Sequence, residues 1–200
     1  MARGRPAARH GAARVTGLPV PATRRTGAAT RRQDWGGRVR ARRAHHRIGP
    51  LWWALRSVVP EIELLTQDEY FGRARKHRRD IRFALYRRII EIRDGQLSLR
   101  SHLHPQVPVW VAEVIGPARD EEFAVVVEAA AIAAVLEAAR ARHHFPAGPG
   151  EGFVPHPLVA ELREEAAWLV RVAAAYTGSP AVSHVRRRVR EELARAAVPH

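Results

Sequence analysis

Cysteine is absent from the 200 residues, which excludes disulfides, thiolate metal sites and cysteine nucleophiles. Its absence suits a reducing compartment, and a cytoplasmic location is expected. Lysine is almost missing as well: Lys76 stands alone beside 33 arginines. That skew, with abundant alanine, glycine and proline, is what GC-rich codon usage produces, so part of the arginine content reflects genome composition. Long hydrophobic runs are lacking too. The nearest approach to the roughly 18–20 apolar residues of a membrane span runs from Phe123 to Ala139, and Glu128 and Glu137 interrupt it. No apolar stretch of about 7–15 residues follows the basic start, as a secretory leader requires. An Arg-rich, acid-poor start resembles an organellar transit peptide, but the codon bias favours a bacterial cytoplasm.

What is present is unevenly placed. The formal net charge is +14, yet residues 1–50 hold 13 arginines and one acid, Asp34, so the body is nearly balanced. Residues 1–48 combine Arg, Gly, Ala, Pro and Thr with few large apolar side chains. Burial there offsets little of the ordering entropy, and a disordered basic arm is predicted. Residues 49–200 read as one all-α domain, a small bundle of about five to six helices with a Pro/Gly-rich loop at 145–157.

Apolar spacing marks the helices. Pro50 opens a short one through LWWALRSVV, closed by Pro60. Ile81, Leu85, Ile89 and Ile92 form a stripe on a second, which starts at about Arg73 or Asp80 and runs to Arg93, with Arg82, Arg87, Arg88 and Arg93 mainly off the stripe. Asp94-Gly95 supplies its exit, with Gly95 in the left-handed cap conformation. Residues 96–107 are ambiguous between coil and strand. Val107 to Ile115 is a short helix closed by Gly116-Pro117. The strongest helix runs from Asp120 to about Arg142, its start favoured by three acids and its Ala-rich side suited to close packing. A helix from Leu158 to about Tyr176 and a last one carrying Val182, Val185, Val189 and Leu193 form a hairpin across Gly178-Ser179-Pro180.

Chemistry is harder to find. His45-His46, His102-x-His104 and His143-His144 lack the spacing of a zincin helix or a zinc finger, and histidines in irregular segments are ordinarily solvated. The pairs Glu121-Glu122, Glu164-Glu165 and Glu191-Glu192 lie near arginines on predicted helix surfaces, where ion pairing accounts for them. There is no nucleophile elbow, phosphate-binding loop or dinucleotide fingerprint. No catalytic residue, cofactor or metal site is therefore expected, although dispersed catalytic residues are invisible in one sequence. Trp52, Trp53, Trp110 and Trp168 read as core residues, with a membrane-interface role the alternative for Trp52-Trp53. The arm's arginines, with Trp35, suit sequence-independent phosphate and stacking contacts.

Three stretches together carry a resemblance: LWWALRSVVPEI (51–62), LYRRIIEIRDGQLSLRSHL (85–103) and EEAAWLVRVAAAYTGSPAV (164–182). They resemble an actinobacterial domain of unknown function, the soluble C-terminal region of multi-pass proteins described as putative transporters. The resemblance covers about residues 48–195. Its most specific element is the run Tyr86-Arg87-Arg88 through Glu91-Ile92-Arg93-Asp94-Gly95. It implies an α-helical cytoplasmic tail with no catalytic residues to transfer. The membrane helices of that family are missing here, and the arm stands in their place. Either the chain is a free-standing tail domain, or residues 1–48 come from a misplaced start or a shifted frame.

These readings converge on a non-catalytic regulatory or interaction module that docks on a protein partner or on the membrane part of a related protein. The alternative is non-specific nucleic-acid binding through the arm. Arg87, Arg88, Glu91, Arg93 and Asp94 are the candidate polar cluster, with helix ion pairs and a cap as the purely structural explanation.

Overall fold

The computed structural model describes residues 26–62, 80–146 and 162–197, with side chains from residue 36 onward. The described residues form helices joined by short non-helical segments, with no strand among them. Seven α-helices follow one another: α1 Thr26–Arg47, α2 Gly49–Arg56, α3 Ile81–Ser98, α4 Val107–Ile115, α5 Glu121–Arg140, α6 Leu162–Gly178 and α7 Pro180–Ala196. Two 3₁₀ turns, Pro60–Ile62 and Arg100–His102, complete the order. No helix among the described residues is long and apolar enough to cross a membrane.

α5 is the axis. Asp120 caps it by accepting the Phe123 N–H at 2.8 Å, and Glu121 and Glu122 sit in its first turn, where the helix dipole favours them. Val125 through Leu136 are all buried, so the helix is covered on every side rather than along one stripe. Its alanines let neighbours approach closely, and α4, α6 and α7 pack around it. A second layer forms where α3 packs against α1, α2 and α6. The expected α6–α7 hairpin is looser than a paired one, because α6 and α7 each find their main partner in α5.

Three expectations need correction. The predicted disorder of residues 1–48 fails from Thr26 onward, where α1 runs to Arg47. Arg and Ala favour helix, and Ala41 and Ile48, with Ala44 partly buried, dock this helix into the core. Small side chains gave too weak an apolar signal for that docking to be read. Residues 1–25 lie outside the described residues, as do the earlier start of α3 at Arg73 and most of the loop through Pro157. The exit at Asp94-Gly95 is also wrong. α3 continues to Ser98 with Gly95 inside it, and the positive-φ glycine is Gly116, which ends α4 at φ 82°. Gly95 instead packs beside α2 and the first 3₁₀ turn, where a Cβ would stand 3.4 Å from both Leu55 Cβ and Ile62 Cδ1, an ordinary contact distance. The ambiguous stretch after it resolves as the end of α3 and a 3₁₀ turn, not a strand. Finally, Trp53 is 60% exposed, unlike the buried Trp52, Trp110 and Trp168.

Candidate functional site: a buried arginine–glutamate–tryptophan network

Turns two to four of α3 carry four polar residues of the candidate cluster, and their side chains reach inward between helices. Arg87 and Glu91 are one turn apart, which places them side by side. Arg87 donates from Nε and Nη2 to Glu91 Oε1, both at 3.1 Å. The other Glu91 oxygen accepts the indole N–H of Trp52 in α2 at 2.7 Å. Arg88 lies over the face of the same indole, 4.7 Å from the ring centroid. Its Nη1 donates to the His45 carbonyl in α1 at 3.1 Å and approaches His45 Nδ1 at 3.3 Å.

One turn further on, Arg93 sits between two more carboxylates. Its Nη1 donates to Glu128 Oε1 of α5 at 2.6 Å, and its Nε donates to Glu165 Oε1 of α6 at 2.7 Å. Nη2 stands 2.6 Å from the same Glu165 oxygen. Gln96 closes the group, accepting from Arg93 at 2.7 Å and donating to Glu128 Oε1 at 2.9 Å. The remaining Glu128 oxygen takes the Trp168 indole N–H at 2.7 Å. The Glu128 and Glu165 side chains are 1% and 2% exposed. Two centres of one design result: a buried glutamate held on one oxygen by arginine and on the other by a tryptophan N–H. Three glutamates, 91, 128 and 165, face three arginines, 87, 88 and 93, so the desolvated charge is balanced.

The structure thus brings together Arg87, Arg88, Glu91 and Arg93, while Asp94 is exposed and joins neither centre. Of the arginines expected off the apolar stripe, Arg87, Arg88 and Arg93 are partly buried, their stems lying along apolar surface while the heads reach partners, and Arg82 is exposed. Glu165 was expected on a solvated face and is buried. Glu121 and Glu122 do lie on the surface, paired across helices to Arg171 at 2.6 and 2.8 Å. Glu128, Glu165, Trp52, Trp168, Gln96 and His45 were not singled out for this site. A glutamate in the middle of an otherwise apolar helix, as Glu128 is, was the available signal.

Burial, with Arg88 and His46 adding to it, lowers the His45 pKa from 6.5 to about 4. The ring is then neutral near pH 7, which agrees with Nδ1 facing an arginine donor. Burial likewise pushes the Arg88 guanidinium below its ordinary value, though arginine stays cationic.

The histidine pairs meet elsewhere. His102 Nδ1 donates to the His143 carbonyl at 2.6 Å and its ring stacks on His144 at 4.2 Å. His104 is buried, not solvated. Its Nδ1 accepts the Gln106 N–H at 3.1 Å, so Nε2 carries the proton toward Glu192 at 2.8 Å. Its pKa is lowered, chiefly by burial and against the pull of Glu192. Among the described residues no group of three or more potential ligands is placed to hold a metal ion.

The profile of a family of unknown function, DUF6545, matches residues 34–179, which span α1 through α6 and every member of the network. No curated protein and no solved structure matches the chain.

Proposed function

The chain belongs to the DUF6545 family, and we propose that it acts as a non-catalytic regulatory or interaction domain, docking through the end of α2 on a protein partner. The membrane part of a related protein is one such partner, which fits the resemblance to the cytoplasmic tails of multi-pass actinobacterial proteins. The observation that carries this reading is the contrast between two adjacent tryptophans. Trp52 is locked by Glu91 and Arg88, whereas Trp53 stands 60% exposed. Its ring meets Trp52 edge-on at 4.8 Å, and Arg56 lies 5.2 Å from the centroid of each ring. Tryptophan and arginine are the residue types that dominate binding energy at interfaces, and a fixed aromatic loses little entropy on docking. Glu91 and Glu128 each have one oxygen engaged by an arginine and the other by an indole, which suits a rigid frame.

The test places a photoreactive residue at position 53 in cells, with exposed Glu191 of α7 as the control position. A discrete adduct from position 53 alone is expected, and Trp53→Ala should leave the melting temperature unchanged while abolishing partner binding. The same adducts from both positions would overturn the reading.

A second reading draws on α1, whose exposed Arg38, Arg40, Arg42, Arg43 and Arg47 give the basic arm a helical part. Sequence-independent nucleic-acid binding through it would weaken steeply with salt, because binding releases counterions and that release is less favourable at high salt.

A further inference from the structure

Away from Trp53, a groove of about 860 Å³ opens between α1, the start of α3 and α6. Its floor is apolar, formed by Ala41 of α1, Leu85 of α3, and Ala166, Ala167 and Val170 of α6. Six guanidinium groups surround that floor, from Arg40, Arg43, Arg47, Arg82, Arg163 and Arg171, and no carboxylate lines it among the described residues. Arg171 is held by Glu121 and Glu122. Arg82 reaches toward α1 where Gly37 leaves it room, since a Cβ at Gly37 would stand 2.6 Å from Arg82 Nη2. Arg40, Arg43, Arg47 and Arg163 pair with no carboxylate among the described residues, and all four are exposed. The first three follow one face of α1 at spacings of three and four.

We propose that this groove binds an anionic amphiphile, a single apolar chain with a phosphate or carboxylate head, taken up as a monomer. The volume falls within the range of about 300–1,000 Å³ typical of small-molecule sites. A bare anion would leave the apolar floor uncovered, and a neutral lipid would leave Arg40, Arg43, Arg47 and Arg163 unmatched. The combination selects a ligand with both parts. Guanidinium groups bind phosphate and carboxylate oxygens in bidentate geometry, and like charges crowded over a low-dielectric floor raise the local attraction for anions. Ala41, Ala166 and Ala167 keep the floor low enough for a chain to lie between the helices.

Isothermal titration of the full chain with dodecyl phosphate, below the concentration at which it forms micelles, tests this. Saturable one-to-one binding is expected, about tenfold or more tighter than inorganic phosphate and than the uncharged dodecyl maltoside, each lacking one of the two matched parts. Arg40→Ala with Arg43→Ala should weaken it by about tenfold or more through loss of charge-assisted contacts. Ala167→Trp should weaken it by filling the floor. Arg40, Arg43 and Ala167 are exposed, so both variants should fold, and melting curves establish that they do. Equal affinity for inorganic phosphate would overturn the proposal, because the site would then read charge alone. So would binding to phosphatidylglycerol vesicles or duplex DNA without binding to dodecyl phosphate.

Discussion

Glu128 is the residue on which the buried network turns, and Glu128→Gln perturbs it with almost no change of shape. Three donors converge on its carboxylate: Arg93 and Gln96 on one oxygen, Trp168 on the other. The amide has one oxygen and one NH₂, so one set of donors must face another donor. The less costly orientation keeps the oxygen toward Arg93 and abandons Trp168, whose buried N–H then costs about 1–3 kcal/mol. Arg93 also loses one of its two carboxylates, so a total of about 2–4 kcal/mol is expected, approaching the roughly 3–5 kcal/mol of breaking a buried ion pair outright. Trp168→Phe alone should cost about 1–3 kcal/mol by orphaning Glu128 Oε2. The double variant should be little worse than Glu128→Gln, because the bond lost is the same one, leaving a coupling energy of about 1–2 kcal/mol. Urea denaturation followed by far-UV circular dichroism at pH 7 measures all three. A Glu128→Gln loss below about 0.5 kcal/mol, or strict additivity in the double variant, would refute the argument. Replacing Arg93, Glu128 and Glu165 by Met, Leu and Leu together with Gln96→Leu and Trp168→Phe, so that neither the indole nor the amide is left without its acceptor, should be milder than Glu128→Gln alone, since a whole buried charge cluster exchanged for apolar packing is often neutral.

Gly95 separates packing from capping. Gly95→Ala should be neutral or stabilising by up to about 1 kcal/mol, because alanine favours the helix interior and its Cβ would meet Leu55 and Ile62 at ordinary contact distance. Gly95→Val should cost about 1–3 kcal/mol by overpacking, and a large loss for alanine in thermal melts would contradict the continuous helix. His45 predicts a pH dependence: the unfolded ring takes up a proton near pH 6.5, the folded one only near 4. The unfolded state therefore binds more protons in that window, and stability falls as pH drops from about 6.5 to 4. Urea midpoints across that range should flatten in His45→Gln, and parallel curves for the two proteins would contradict the burial of the ring.

Much of the helical pattern was legible because it rests on local signals. Pro50, the Asp120 cap with Glu121 and Glu122, and the Val182–Val185–Val189 stripe each act within a turn or two of chain. α1 was illegible for the opposite reason. Its helix is completed by packing on α3 and α6, a tertiary effect with almost no signal in an Arg- and Ala-rich stretch. Gly95 misled because Asp-Gly after an apolar stripe is the usual form of a helix end, whereas this helix runs on to Ser98 with Gly95 packed beside Leu55 and Ile62. At the site, the α3 cluster was visible as a concentration of charge in one segment. Its partners were not: Glu128 is 35 residues from Arg93, and Glu165 is 72. Periodicity reports which face a residue lies on, not which distant charge it meets. Glu165 was assigned to solvent because a glutamate beside Glu164 on an amphipathic helix ordinarily is there.

Network and groove are two sides of one arrangement. α3 holds α1 through Arg88 on the His45 carbonyl, and His45 lies between Ala44 and Arg47, both groove residues. α3 holds α6 through Arg93 on Glu165, and the next residue, Ala166, forms part of the groove floor. Both walls of the groove are thus tied from behind to the same helix by charge-assisted bonds, which fix distance and rotation more narrowly than apolar contact does. A buried ion cluster adds little net stability over a packed apolar core, so stability alone does not account for placing three arginines and three glutamates here. Fixing the separation of two helices that frame a cationic groove does account for it. Arginine and glutamate, each with its hydrogen bonds aimed, hold them in one register.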